Sequence, residues 1–293
     1  MERNRDITVV IPTTCEPARR STLERAVFSL LNQEIGAPSI LVVANGPRVD
    51  AGVLSAIKKL SMVRTLELDE GSLPRAIAVG RSAVSTPYFG FLDDDDEYLP
   101  NALDLRLRAL EQFPDAAAAA TDGYEWRDGV DHLRETVTAT ALRDPLRGLL
   151  AANWLASCSA LFRSTLVTPQ FFDGVTRYFE WTLLAYKIAA RHRIVLLDTP
   201  TYRLYESVGS LSKSEAYKLA APEVLKTVAD LELPRDVRNA LRDRVGRAYH
   251  TASSYFLREG RRGEAWTAHL QSLRWPGGLR YLAYTLKLFG PRA

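Results

Sequence analysis

The sequence predicts an α/β chain, with a doubly wound, mostly parallel sheet over residues 1–212 and a helical extension over 213–293. Three observations carry this. Short β-branched runs stop abruptly at Pro or Asn-Gly, as buried parallel strands do. Segments with apolar residues at helical spacing alternate with them, which is the pattern of right-handed crossovers. From about Lys213 the strand signals cease and a basic, helical pattern takes over.

The elements follow in order. Ile7-Thr-Val-Val-Ile11 is a strand closed by Pro12. Leu23, Ala26, Val27, Leu30 and Leu31 line one face of a helix over 21–33, with Ser21 or Thr22 as N-cap. Residues 39–44 form the second strand, ended by Asn45-Gly46-Pro47, and a helix over 53–60 follows. Residues 63–68, 73–84 and 88–92 read as strand, helix and strand. A helix opens near Leu99-Pro100-Asn101 and runs to Gln112. The alanine run 116–121 returns to the sheet, although alanine favours helices. A hairpin turns at Asp128-Gly129, and 155–162 is a strand. Trp181 to Arg191 is a helix and Arg193 to Leu197 a strand.

Composition is that of an ordinary globular protein, 46% apolar and 25% charged over 293 residues. A net charge of +3 is too small to argue for nucleic acid. Cys15 and Cys158 lie far apart, which predicts a reducing compartment and no disulfide framework. The N-terminus runs straight into a strand, and no stretch approaches the roughly 18 apolar residues of a membrane span. A cytoplasmic protein is expected. His132, His192, His250 and His269 are scattered, and there is no Walker loop, Gly-x-Ser-x-Gly or dinucleotide fingerprint.

The most informative segment is Phe91-Leu-Asp-Asp-Asp-Asp-Glu-Tyr-Leu-Pro100, where four aspartates, Asp93 to Asp96, follow an apolar strand. Carboxylates at the end of a buried strand repel one another and lose hydration. A bound divalent cation is the usual offset, and oxygen ligands suit Mg2+ or Mn2+, which commonly bridge nucleotide phosphates. Open α/β sheets place ligands at such carboxyl ends.

The order strand-Pro-Thr, strand-Asn-Gly, apolar strand-Asp-x-Asp, then an acid leading a helix, resembles the GT-A fold of family 2 glycosyltransferases over roughly residues 6–212. Val10-Ile-Pro-Thr13, and Tyr202-Arg203 followed by Ser210-Leu-Ser212, are weaker matches in the right order. The resemblance implies inverting transfer of a sugar from a nucleotide-diphosphate donor to a hydroxyl acceptor, such as a cell-surface glycan, a lipid-linked molecule or a small molecule. It makes Asp93 and Asp95 the metal carboxylates, Asp95 the first choice, with Asp94 between them on the donor side. Asp96 then either positions the following turn or touches the acceptor.

Pro12, Thr13, Thr14 and Glu16 fall where the family holds the nucleotide. Asn45 stands where relatives carry base-reading acids, so the choice among UDP, GDP and dTDP stays open. Arg75 is a candidate phosphate contact. Glu180, in Tyr178-Phe-Glu-Trp181, matches the second acid of the family's pair and is the expected catalytic base; Phe179 replaces the first. Asp173 and Asp198 are fallbacks, and Asp122 is a candidate on the acceptor side.

Two alternatives stand beside this reading: a sugar nucleotidyltransferase, and a non-catalytic nucleotide-sugar-binding module. The first normally wants a Gly-rich basic loop, and Pro12-Thr-Thr-Cys-Glu-Pro17 has no glycine. Residues 264–289 interleave aromatic and aliphatic residues with Arg274, Arg280 and Lys287. Packing on the protein or on a second subunit is expected there ahead of peripheral contact with the inner face of a membrane.

Overall fold

Residues 6–60, 62–205 and 214–289 are described by the computed structural model. Contacts divide the chain into two units, Met1–Val208 and Gly209–Ala293. The boundary expected at 212–213, and the Ser210-Leu211-Ser212 match, lie outside the described residues.

In the first unit the buried β-branched runs become a parallel core. β1 (Ile7–Thr13) is buried at every position and pairs in parallel with β2 (Ser39–Asn45) and with β4 (Tyr88–Phe91). β3 (Val63–Leu68) adds to β2 in parallel. The crossovers are α1 (Arg20–Leu31), α2 (Ala51–Lys58) and α3 (Leu73–Ser82). Asp50 and Ser72 cap α2 and α3 by accepting from Val53 N and Arg75 N. The expected cap of α1 differs: the helix starts at Arg20 because a turn over Pro17–Arg19 leads directly into it, and Thr22 Oγ1 instead donates to the Arg19 carbonyl at 3.0 Å.

The second half of the sheet is mixed. A two-residue strand β5 (Glu97–Tyr98) precedes α4 (Ala102–Gln112). β6 (Ala116–Arg127) and β7 (Val130–Leu133) form the expected hairpin, and both turn residues, Asp128 and Gly129, take positive φ (52° and 82°). The alanine run is strand despite its helix propensity, because all five alanines are buried in the sheet and tertiary packing overrides the preference. Short helices α5 (Ala139–Arg143) and α6 (Pro145–Gly148) lead to β8 (Ala160–Arg163), which enters antiparallel between β4 and β6. α7 (Glu180–Ala189) follows, then β9 (Arg193–Tyr205), well beyond the expected end at Leu197. The strand order is β3-β2-β1-β4-β8-β6-β9-β5, with β7 on β6. Close approach of β6 and β9 requires Gly123, since a Cβ there would lie 2.3 Å from the Tyr202 ring.

The second unit is helical: α8 (Glu215–Ala229), α9 (Arg235–Arg258), α10 (Arg262–Leu273), a 3-10 segment Gly278–Tyr284 and α11 (Thr285–Phe289). Among the described residues no helix is long and apolar enough to cross a membrane.

Candidate active site

β1, β2 and β4 all end at one edge of the sheet, and the acidic run leaves β4 there. Asp93 accepts from Ser157 Oγ at 2.8 Å, a residue just ahead of β8. Asp94 accepts from Thr13 Oγ1 at 2.5 Å and from Arg19 Nη1 at 3.0 Å. Asp95 shares Arg19 Nη1 at 2.8 Å, and its carbonyl accepts from Arg25 Nη2. Arg19 remains 39% exposed, whereas the side chains of Asp94 and Asp95 are 10% and 21% exposed.

The second half of the run is held differently. Asp96 Oδ1 accepts from the backbone N–H of Tyr205 at 3.0 Å. Glu97 is bonded by Arg203 and by the Tyr205 hydroxyl at 3.0 Å. Arg203 in turn forms a two-pronged pair with Asp131, both contacts at 2.6 Å.

Burial pushes the Asp93 carboxyl up to about 7, with repulsion from Asp95 next and smaller contributions from Asp94 and Glu180. Burial lifts Asp94 to about 6, against the pull of Arg19 and Thr13. Asp96 is raised well above the usual range, by burial and then by Asp93 and Asp95. Burial and mutual repulsion thus oppose ionisation of these carboxyls, and a cation would offset both; their oxygen donors suit a hard divalent ion. Among the described residues no three His, Cys, Asp or Glu side chains stand together as a metal cage.

Glu180 opens α7 and is 7% exposed. Phe91 at the end of β4 meets Trp181 edge-on at 5.2 Å, which docks the head of α7 beside the acidic run. Glu180 Oε1 accepts from Tyr178 N at 3.0 Å. Burial pushes its carboxyl above the ordinary 4.5, while backbone N–H groups and Arg177 draw it partly back. Tyr178 and Phe179 both adopt left-handed backbone, φ 68° and 58°. Bulky residues pay about 1–3 kcal/mol each for such conformations, and they cluster at functional sites.

Thr13, Asp93, Asp94, Asp95 and Glu180 are thus brought to one edge. Pro12 is buried within β1, and Thr14 is half-buried just beyond it. Glu16 pairs with Arg48 at 3.2 Å. Asn45 uses its amide as a clip: Nδ2 donates to the Thr13 carbonyl at 2.9 Å and Oδ1 accepts from Ser72 N at 3.1 Å. Arg75 is exposed and pairs with Glu70 at 2.6 Å. Asp173 and Asp198 are exposed, and Asp122 is buried as an anchor for Thr136 and Val137.

Ser157, Arg19 and Arg25 are the contacts that sequence reasoning missed. The only local signal was the basic cluster that follows Pro17. Burial and then Asp50 push the Cys15 thiol up to about 11, which disfavours the thiolate. A shallow depression lined by Phe113, Arg143, His192 and Arg193 shares no residue with this cluster.

The mixed sheet with its acidic loop at the strand ends is a GT-A-like fold, and the family match makes the chain a glycosyltransferase. Residues 8–167 match the model of Glycosyl transferase family 2, and the chain belongs to that family. The fold is similar to that of S. aureus TarS 1-349 in a complex with UDP-GlcNAc, with TM-score 0.64, 14% identity, and 92% of this chain and 80% of that one covered. A longer S. aureus TarS structure gives TM-score 0.61 at 13% identity, covering 92% of this chain and 48% of that one. The complex of TarS 1-349 with UDP gives TM-score 0.56 at 14% identity, over 83% and 71%. No curated protein matches the chain in sequence.

Proposed function

We propose that the protein is a metal-dependent, inverting transferase that moves a sugar from a nucleoside-diphosphate donor to a hydroxyl of a glycan, lipid-linked or small-molecule acceptor. The observation that carries this reading is the buried carboxylate of Glu180 beside the strand end that presents Asp93 and Asp95. TarS structures hold UDP-GlcNAc and UDP, which supports a nucleotide-sugar donor and places uridine first among the bases to test.

In this reading Glu180 takes the proton of the acceptor hydroxyl. The oxygen lone pair forms the new bond to the anomeric carbon as the bond to the diphosphate breaks, and the electron pair leaves on the diphosphate. Asp93 and Asp95 would hold Mn2+ or Mg2+, which when bound offsets charge on the diphosphate. Such ions need only one or two carboxylates when phosphates and water complete their shell. Pro12, Thr13, Thr14, Glu16 and Asp94 line the nucleotide side, with Asn45 holding that loop in place. Arg75 would have to release Glu70 to reach a phosphate.

A thermal-shift screen of UDP, GDP, dTDP and CDP with Mn2+ tests the donor class, since a ligand raises stability by mass action. Stabilisation by one nucleotide, dependent on the metal, is expected. No shift with any of them would sink the reading. Hydrolysis or transfer of the matching nucleotide sugar then separates an enzyme from a binding module.

A further inference from the structure

We propose that residues 278–289 form a docking surface for an anionic lipid bilayer. Leu279, Leu282, Leu286 and Phe289 are 75%, 51%, 75% and 73% exposed. Their spacing of three, four and three puts them on one helical stripe. Large apolar side chains displayed together mark interaction sites rather than an ordinary soluble surface.

The stripe belongs to an anchored element. Tyr281 stacks on His250 with ring centres 4.0 Å apart, and Tyr284 meets the same ring edge-on at 4.7 Å. The Thr285 hydroxyl bonds His269 Nε2 at 2.8 Å, and Leu288 is buried. One side of the segment is therefore fixed to α9 and α10, while Leu279, Leu282 and Leu286 stay exposed.

Charge selects the occupant. Residues 265–293 contain Arg274, Arg280, Lys287 and Arg292 and no Asp or Glu. Arg274 and Lys287 are exposed, while Arg280 is shared with Asp243 at 2.6 Å. A leucine stripe on a segment that carries bases and no acids matches acyl chains beneath anionic headgroups. This inference stands apart from the sugar donor and does not depend on it.

Flotation of the full chain with vesicles tests it. One set would be phosphatidylcholine alone and the other about one-third phosphatidylglycerol, where each nearby base contributes about fivefold in binding. The wild-type chain should float with the anionic vesicles and lose that binding in high salt. Leu279→Asp/Leu286→Asp should cut partitioning by more than about tenfold, through lost apolar burial. Arg274→Gln/Lys287→Gln, which alters only exposed charges, should weaken anionic binding and keeps the test open if the first variant misfolds. Circular dichroism and nucleotide thermal shifts check that both variants remain folded. Failure of the wild-type chain to float, or flotation of both variants at the wild-type level, overturns the proposal. So does a dimer, seen by light scattering, that Leu279→Asp/Leu286→Asp dissociates without any lipid binding, because the stripe would then belong to a second copy.

Discussion

The two halves of the acidic run are adjacent in sequence and opposite in bonding. Asp93, Asp94 and Asp95 meet hydroxyls and a half-exposed arginine, contacts that a ligand can replace. Asp96 and Glu97 meet a backbone N–H and Arg203, which is itself locked to Asp131. In the proposed function the front half exchanges these partners for the donor, whereas the back half is bonded to β9. A turn from the Asp93 carbonyl to Asp96 N, 3.2 Å, separates them. A short run of like charges thus divides between residues held by replaceable side-chain contacts and residues tied to a neighbouring strand.

The largest expected effect lies beside the front half. Glu180→Gln keeps shape and hydrogen bonding but cannot accept a proton at neutral pH. Turnover should fall about 10²–10⁴-fold with donor affinity nearly unchanged, measured by initial rates beside a nucleotide titration. If Glu180 only stabilises its helix, the change would be about 0.3–1 kcal/mol in stability with normal rates.

Next comes pH. The base must be ionised, and burial raises its carboxyl above 4.5, so kcat/KM should fall on the acid side with a midpoint above that value. Glu180→Gln should remove the part of this limb that Glu180 contributes; a limb unchanged by the substitution would assign it to the raised carboxyls of Asp93 and Asp94.

Arg203→Ala probes the back half. It should cost about 1–2 kcal/mol of stability, less than a fully buried charged bond because Arg203 and Asp131 are partly exposed, and leave nucleotide affinity within about twofold. Its bond to Arg203 holds the Asp131 carboxyl below 3.8. A depressed carboxyl stabilises the fold above its unfolded pKa and loses that contribution as pH falls through its folded value. The wild-type advantage in urea titrations should therefore shrink below about pH 4. A large loss of nucleotide binding would show that the halves are not separate.

Arg75→Ala should have the smallest effect, under about threefold on nucleotide affinity, because an exposed pair with Glu70 holds it on the surface. A loss beyond tenfold in the same titration would place Arg75 on the phosphates.

Local signals explain what was legible in the sequence. Val9, Val10, Ile11, Leu41 and Val42 are β-branched or aliphatic and fully buried, so periodicity located the parallel strands. The acidic run and its strand are contiguous, so its place at a sheet edge was legible too. The partners were not, because β8 enters antiparallel and brings Ser157 to Asp93, and the loop after β1 brings Arg19 to Asp95. β9 was read short because Asp198, Thr199 and Pro200 break the apolar pattern where the β6 pairing shifts register at Asp122. Asn45 was placed correctly at a strand end, but its amide's two bonds depend on Thr13 and Ser72 meeting in three dimensions.

The most direct test of the central claim is calorimetric titration of UDP with Mn2+ into the wild-type chain and Asp95→Ala, repeated with the nucleotide that stabilises most in the thermal-shift screen. Wild-type binding that requires the metal, and its loss in Asp95→Ala with the fold intact by circular dichroism, is the predicted result. Undiminished affinity in Asp95→Ala would contradict the assignment of the front half to the donor.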